Sequence, residues 1–116
     1  MEIKIIKSKI SSDALKQLAQ DGYGDMIKGV ADIKRKVIAL GGELHADAEA
    51  VLLGDGSASN DLWGFNFYPF KSKDDCVEFT ALINIKPALG SRSMEVKDVK
   101  IQNQIQSVIR LFVESH

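Results

Sequence analysis

His45, Asp47 and Glu49 stand at alternate positions of one short segment. An imidazole and two carboxylates are side chains that hold transition metals. An extended chain sets alternate side chains about 6.6 Å apart, so His45 and Glu49 would lie roughly 13 Å apart. Bonds of about 2.0–2.2 Å to a single ion do not bridge that span unless a bulge folds the strand. No metal and no cofactor is expected, and a solvated polar sheet face is the plainer reading. Asp47 and Glu78 on either side of Tyr68 are the second combination, a carboxylate pair suited to acid–base work. Such work needs one carboxyl with a raised pKa, through burial or a close like charge. Tyr68 is otherwise an aromatic on a half-covered face, hydrogen-bonded through its hydroxyl.

Gly90-Ser91-Arg92-Ser93 joins backbone donors, two hydroxyls and a guanidinium, the ingredients of an anion site. It lacks the glycine spacing of a P-loop. Arg92 folding back onto Asp47, Glu49 or Glu78 is the favoured alternative, because Lys86 is otherwise the only base expected on that face. Cys76 sits beside Asp74 and Asp75, which oppose the depressed pKa that a nucleophilic thiol needs. It reads as a bystander. Trp63, Phe65 and Phe67 resemble a stacking stripe for single-stranded nucleic acid, but no basic groove accompanies them and core packing is the expected role. Lys28, Lys34, Arg35 and Lys36 read as a solvated helix face.

These residues need elements to carry them. Residues 2–7 (EIKIIK) are β-branched and predict a short strand. Ser11 and Ser12 offer N-caps to a helix that ends near Gly22 and Gly24. Met26, Val30, Ile33, Val37 and Leu40 fall at four-three spacing, which predicts a longer helix closed by Gly41-Gly42. From Glu43 the apolar period changes to two, with Leu44, Ala46, Ala48, Ala50 and Leu52 on one side, predicting a strand. Trp63, Phe65 and Phe67 predict a second strand, and Val77 through Ile85 at alternate positions a third. Ile101, Ile105, Val108 and Phe112 predict a last helix with Asp98 as N-cap.

The expected fold is therefore α+β, one domain over residues 1–116. Three strands form an antiparallel meander, the N-terminal strand joins its edge, and helices pack on one face. Closing the hairpins sets Phe67 opposite Phe79. It also gathers Glu49, Asn66 and Thr80 in one row of the polar face and Asp47, Tyr68 and Glu78 in the next. His45 lies at one margin, with Asn84 and Lys86 toward the other. A slip of one residue would bury this polar set, so strand parity is the firm part of the expectation.

Composition bounds the rest. The chain has 116 residues, 45% apolar and 27% charged, with a net charge of -1. One domain of that length buries a core without staples. The balanced charge gives no electrostatic footprint for nucleic acid. A single cysteine closes no intrachain disulfide. No signal peptide or bilayer-spanning run is read, so a cytoplasmic domain without membrane contact is expected.

Three blocks, GELHADAEAVLL (residues 42–53), DLWGFNFYP (residues 61–69) and INIKPALGSRS (residues 83–93), occur in order. In them the chain resembles an uncharacterised prokaryotic family, a domain of unknown function. The resemblance covers about two-thirds of the chain, from the region of Met26 onward. That family more often carries arginine at the position of Lys86 and asparagine at that of Ser91. The resemblance implies roles for His45, Asp47 and Arg92 and brings no activity, substrate or cofactor.

The expected function is a small binding or interaction module. His45, Asp47, Glu49, Asn66, Tyr68, Glu78, Asn84 and Arg92 would meet a small polar or anionic ligand, or a second copy of the chain in a dimer that protects an edge strand. The competing class is a small acid–base or hydrolytic enzyme. In that case Asp47 or Glu78 acts as base, His45 assists and Arg92 holds an anionic substrate.

Overall fold

Residues 26–40, expected as one helix, form two strands of a hairpin in the computed structural model, which describes residues 2–113. Strand β2 covers Ile27–Asp32 and β3 covers Val37–Gly41. The reason is burial on both faces. Ile27, Ala31, Ile38 and Leu40 point into one core cluster, while Val30 and Ala39 belong to a second. A strand covered on both sides reads as a continuous apolar run and loses its period of two. The apparent four-three spacing is what remains. Asp32 makes the turn: its Oδ1 accepts from the backbone N–H of Lys34 and Arg35 at 2.9 and 2.8 Å. Lys36 adopts φ 58, and its N–H closes onto Asp32 O at 2.9 Å.

Residues 43–53, expected as a strand, instead form helix α2, His45–Gly54. Three alanines among its early residues, Ala46, Ala48 and Ala50, favour helix more than any β-branched content opposes it. The small-residue alternation is accidental. Ala48 and Leu52, four apart, form the buried stripe, and the Asp47 carboxylate accepts from Leu44 N–H at 3.1 Å at the helix start. Two glycines in left-handed conformation, Gly41 (φ 112) and Gly42 (φ 87), let the chain leave β3 for α2.

The outer elements match expectation. Strand β1 (Ile3–Ile6) forms the sheet edge, and helix α1 (Ser12–Asp21) has Ser11 as N-cap, with Ser11 Oγ 3.1 Å from Ala14 N. Strand β4 spans Leu62–Phe67, and helix α3 spans Val99–Phe112 behind Asp98, whose carboxylate accepts from Lys100 N–H at 2.9 Å. The third predicted strand is cut short: β5 is only Val77–Glu78. Beyond it residues 79–96 form an irregular hairpin, closed by Val96 N–H to Phe79 O at 2.9 Å, Ala81 N–H to Met94 O at 3.1 Å and Lys86 N–H to Ser91 O at 2.7 Å.

All strand pairs are antiparallel, in the order β1-β3-β2-β4-β5. The fold is α+β with five strands and three helices among the described residues. The helices do not share a face. Helices α1 and α3 cover Ala31, Trp63, Phe65 and Phe67, whereas Ala48 and Leu52 of α2 meet Val30, Ala39 and Leu62 on the other side. The polar face expected to be open is thus half covered, because the predicted strand at residues 43–53 is the helix that covers it. Parity holds all the same: the rings of β4 lie opposite Asn66. The register differs by two, with Phe67 paired to Val77 and Asn66 to Glu78 rather than Phe67 to Phe79. Phe65 lies across Gly29, its partner on β2, where any added Cβ would collide with the ring. No helix among the described residues is long and apolar enough to cross a membrane.

Candidate functional site

The first residue of α2, His45, reaches down onto β4. Its Nε2 lies 3.0 Å from Phe65 O and 2.9 Å from Asn66 Oδ1. Asn66 Nδ2 in turn lies 2.7 Å from Glu78 Oε1 and 3.4 Å from Thr80 O, and both of those atoms only accept. The amide orientation follows: Oδ1 faces His45, and His45 Nε2 must carry the proton it donates. Tyr68 completes the chain, donating to Glu78 Oε1 at 3.2 Å. Four of the expected residues, His45, Asn66, Glu78 and Tyr68, are therefore linked.

Desolvation lowers the His45 pKa, and the Lys28 charge adds to it. Burial raises that of Tyr68, reinforced by the Glu78 charge. The chain of bonds thus holds a neutral imidazole and a neutral phenol on a carboxylate. It has no free acid or base pair. A histidine whose folded pKa is depressed contributes stability above its ordinary value near 6.5, and loses it as the pH falls through that value. The thermal midpoint should drop by a few degrees between about pH 7.5 and 5.5. A His45→Gln variant should lose that part of the drop; an identical pH profile for the two proteins would contradict it.

The other expected residues are dispersed. Asp47 is exposed at the start of α2, where it caps the helix. Glu49, two residues further along the helix, is half-buried and raises the pKa of Lys86 against a larger desolvation that lowers it. No hydrogen bond or ion pair joins Asp47 to Glu78 among the described residues, so the carboxylate pair is not assembled. No cluster of three His, Cys, Asp or Glu able to hold a metal occurs among the described residues. Asn84, expected on the polar face, is fully buried. It accepts from Gly64 N–H at 2.7 Å and donates to Gly64 O and Met94 O at 3.0 and 3.1 Å. Its role is to take the place of a strand beside β4.

Arg92 does not fold back onto the acids. It is exposed and forms no ion pair with Asp47, Glu49 or Glu78. The shortening of β5 explains this, since the hairpin of residues 79–96 carries Arg92 away from the sheet row that Glu78 occupies. The side chain instead stands at a cleft of about 510 Å³ between residues 89–98, the start of α3 and the start of β4. Trp63 forms part of its wall, with Ile33, Val96 and Ile101 as further apolar lining and Asn60 as a polar one. Trp63 is 3% exposed, and its Nε1 is buried with no acceptor among the described residues. On the ring itself, the Lys86 ammonium sits 5.3 Å from the centroid, donating to Ser59 O at 3.1 Å.

Sequence reasoning assigned Trp63 to the core correctly and overlooked its nitrogen. The signal was present, because a buried indole N–H ordinarily finds a partner and β4 supplies none on that face.

The family model described as "Protein of unknown function (DUF5674)" matches residues 4–112. That match extends through β1 and α1, further toward the N-terminus than the three sequence blocks. No curated protein and no solved structure matches the chain.

Proposed function

We propose, from the premise that the chain belongs to the DUF5674 family and that this description assigns no activity, that the protein is a binding module for a small polar or anionic ligand. The binding place is the cleft beside Arg92. The observation that carries this reading is the exposed guanidinium of Arg92 on a cleft walled by Trp63, Ile33, Val96 and Ile101. A volume of about 510 Å³ lies within the roughly 300–1,000 Å³ of small-molecule sites, and apolar walls with a few polar groups are their usual lining. The linked residues His45, Asn66, Glu78 and Tyr68 satisfy one another and support the fold rather than the ligand.

Benzoate and inorganic phosphate are suitable probes. Followed by amide chemical shifts, one or both should perturb residues 89–98 with millimolar affinity. Arg92→Ala should weaken that binding about tenfold, roughly 1.4 kcal/mol. Among the described residues Arg92 forms no ion pair and is exposed, so the variant should keep the wild-type thermal midpoint. Equal binding by both proteins would remove Arg92 from the site, and no response of residues 89–98 to either anion would remove the cleft.

A further inference from the structure

We propose that residues 85–93 form a lid on the cleft, hinged at Asn84 and Met94, with Lys86 as the latch that holds it in place. The lid's role rests on the binding reading above, whereas the latch is a property of the free protein.

The hairpin is fastened firmly at its base and by little beyond it. At the base the Asn84 amide holds Gly64 and Met94, and Ala81 N–H donates to Met94 O at 3.1 Å. None of residues 85–93 is buried, and Leu89 is 49% exposed. The segment is nevertheless stiff within itself. Lys86 and Ser91 exchange backbone hydrogen bonds at 2.7 and 3.2 Å, and the N–H groups of Leu89 and Gly90 close onto Lys86 O and Pro87 O at 2.9 and 3.0 Å. Among the described residues, one hydrogen bond ties residues 85–93 to anything outside the hairpin: Lys86 Nζ donates to Ser59 O at 3.1 Å. A stiff segment with few buried apolar contacts and a single tether swings at far lower cost than the sheet that carries it.

That tether joins two walls of the cleft. Leu89, Ser91 and Arg92 line it from the hairpin, and Asn60 and Trp63 line it from the sheet. Ser59, whose carbonyl accepts the Lys86 ammonium, directly precedes Asn60, and the same ammonium stands 5.3 Å from the centroid of the Trp63 ring. Release of Lys86 therefore frees the wall that carries Arg92 and takes the ammonium off the indole. A ligand that touches both Arg92 and Trp63 spans the walls as Lys86 does, so it favours the latched form.

The chain contains one tryptophan, so acrylamide quenching of its fluorescence reports on this wall alone. Relaxation dispersion of the backbone amides is the companion measurement, since it detects minor states on the timescale of lid motion. Lys86→Ala should raise the open population about tenfold, the worth of one hydrogen bond from a charged group. Quenching should become more efficient, and dispersion should grow in residues 85–93 only. Lys86→Arg keeps a charged donor and should match the wild type. Hydrogen exchange in β2 and β4 should be the same in all three proteins; a loss of protection there would make Lys86 an ordinary structural contact and overturn the latch. Equal quenching and dispersion in the wild type and Lys86→Ala would overturn it as well. Benzoate, at concentrations that shift residues 89–98, should suppress the dispersion of Lys86→Ala. If it shifts those residues and leaves the dispersion unchanged, the segment is no lid although the binding site stands. Silence of residues 89–98 toward benzoate and inorganic phosphate overturns the binding reading and the lid's role with it, and the latch is then judged on the free proteins alone.

Discussion

Asn84→Leu should lower the unfolding free energy by about 3–5 kcal/mol in urea titrations, a large share of the roughly 5–15 kcal/mol typical of a domain. The substitution keeps the number and branching of the side-chain heavy atoms, removes the amide and adds some bulk that the buried site must accommodate. Gly64 N–H and Gly64 O, which the amide holds at 2.7 and 3.0 Å, would be left without partners beside β4, as would Met94 O at 3.1 Å. Each orphaned group carries its own desolvation cost, on the order of 1–3 kcal/mol. The hairpin of residues 79–96 should loosen with it, because Ser91 Oγ donates to the Asn84 carbonyl at 2.6 Å. A loss under about 1 kcal/mol would mean that water replaces the amide and that this contact is dispensable.

Asp32→Ala should cost a similar amount, about 3–5 kcal/mol, measured in the same way. Asp32 is fully buried, and three donors converge on it: the N–H groups of Lys34 and Arg35 on Oδ1, and the Ser57 hydroxyl on Oδ2 at 2.6 Å. Ser57 Oγ accepts in turn from Arg35 Nη1 at 2.7 Å, and Arg35 Nη2 lies 2.8 Å from Asp55 Oδ2. The network ties the β2–β3 turn to the loop after α2. Asp55→Ala should be far milder although the same guanidinium is involved. Arg35, and then Lys7, hold the Asp55 carboxyl below its ordinary pKa, but Asp55 is open to solvent, where water and salt replace such pairs. If Asp55→Ala proved the more damaging of the two, the turn would depend on its surface charges rather than on the buried carboxylate.

The edges of the fold were readable from the residues, and its middle was not. For β1, α1 and α3, capping residues and one-sided burial leave the ordinary signatures, Ser11 and Asp98 among them. Trp63, Phe65 and Phe67 give β4 an unmistakable period of two. Two segments misled for opposite reasons. Residues 26–40 are buried from above and below, so Val30 and Ala39 fill the positions where polar residues would have marked a strand. Residues 43–53 alternate only because alanines happen to fall at every second place, and alanine is also the strongest helix former.

The site was legible in proportion to its dependence on β4. Asn66, Tyr68 and Glu78 were expected together on the side opposite the rings, and they are hydrogen-bonded there. His45 joins them from a helix rather than from a neighbouring strand. Arg92 was expected beside the same acids, but its place depends on where β5 ends. That end is set by Asn84, whose side chain substitutes for main chain in a way that no pattern of hydrophobicity reveals. The cleft itself arises from residues distant in the chain, Ile33, Trp63 and Ile101, that only the assembled sheet brings into one wall.

Gly64 meets a side chain from each of two directions: the Asn84 amide grips its peptide groups, while Ala81, Ile83 and His45 crowd its α-carbon so closely that even a methyl group would strike Ala81. A ladder of main-chain bonds looks the same after sliding two residues, but this arrangement does not. Such a slide would bring Leu62 or Asn66 into a slot cut for glycine. One position of β4 thus works as a keyed joint, and misaligned pairings met while the chain folds are rejected there by shape before the core closes.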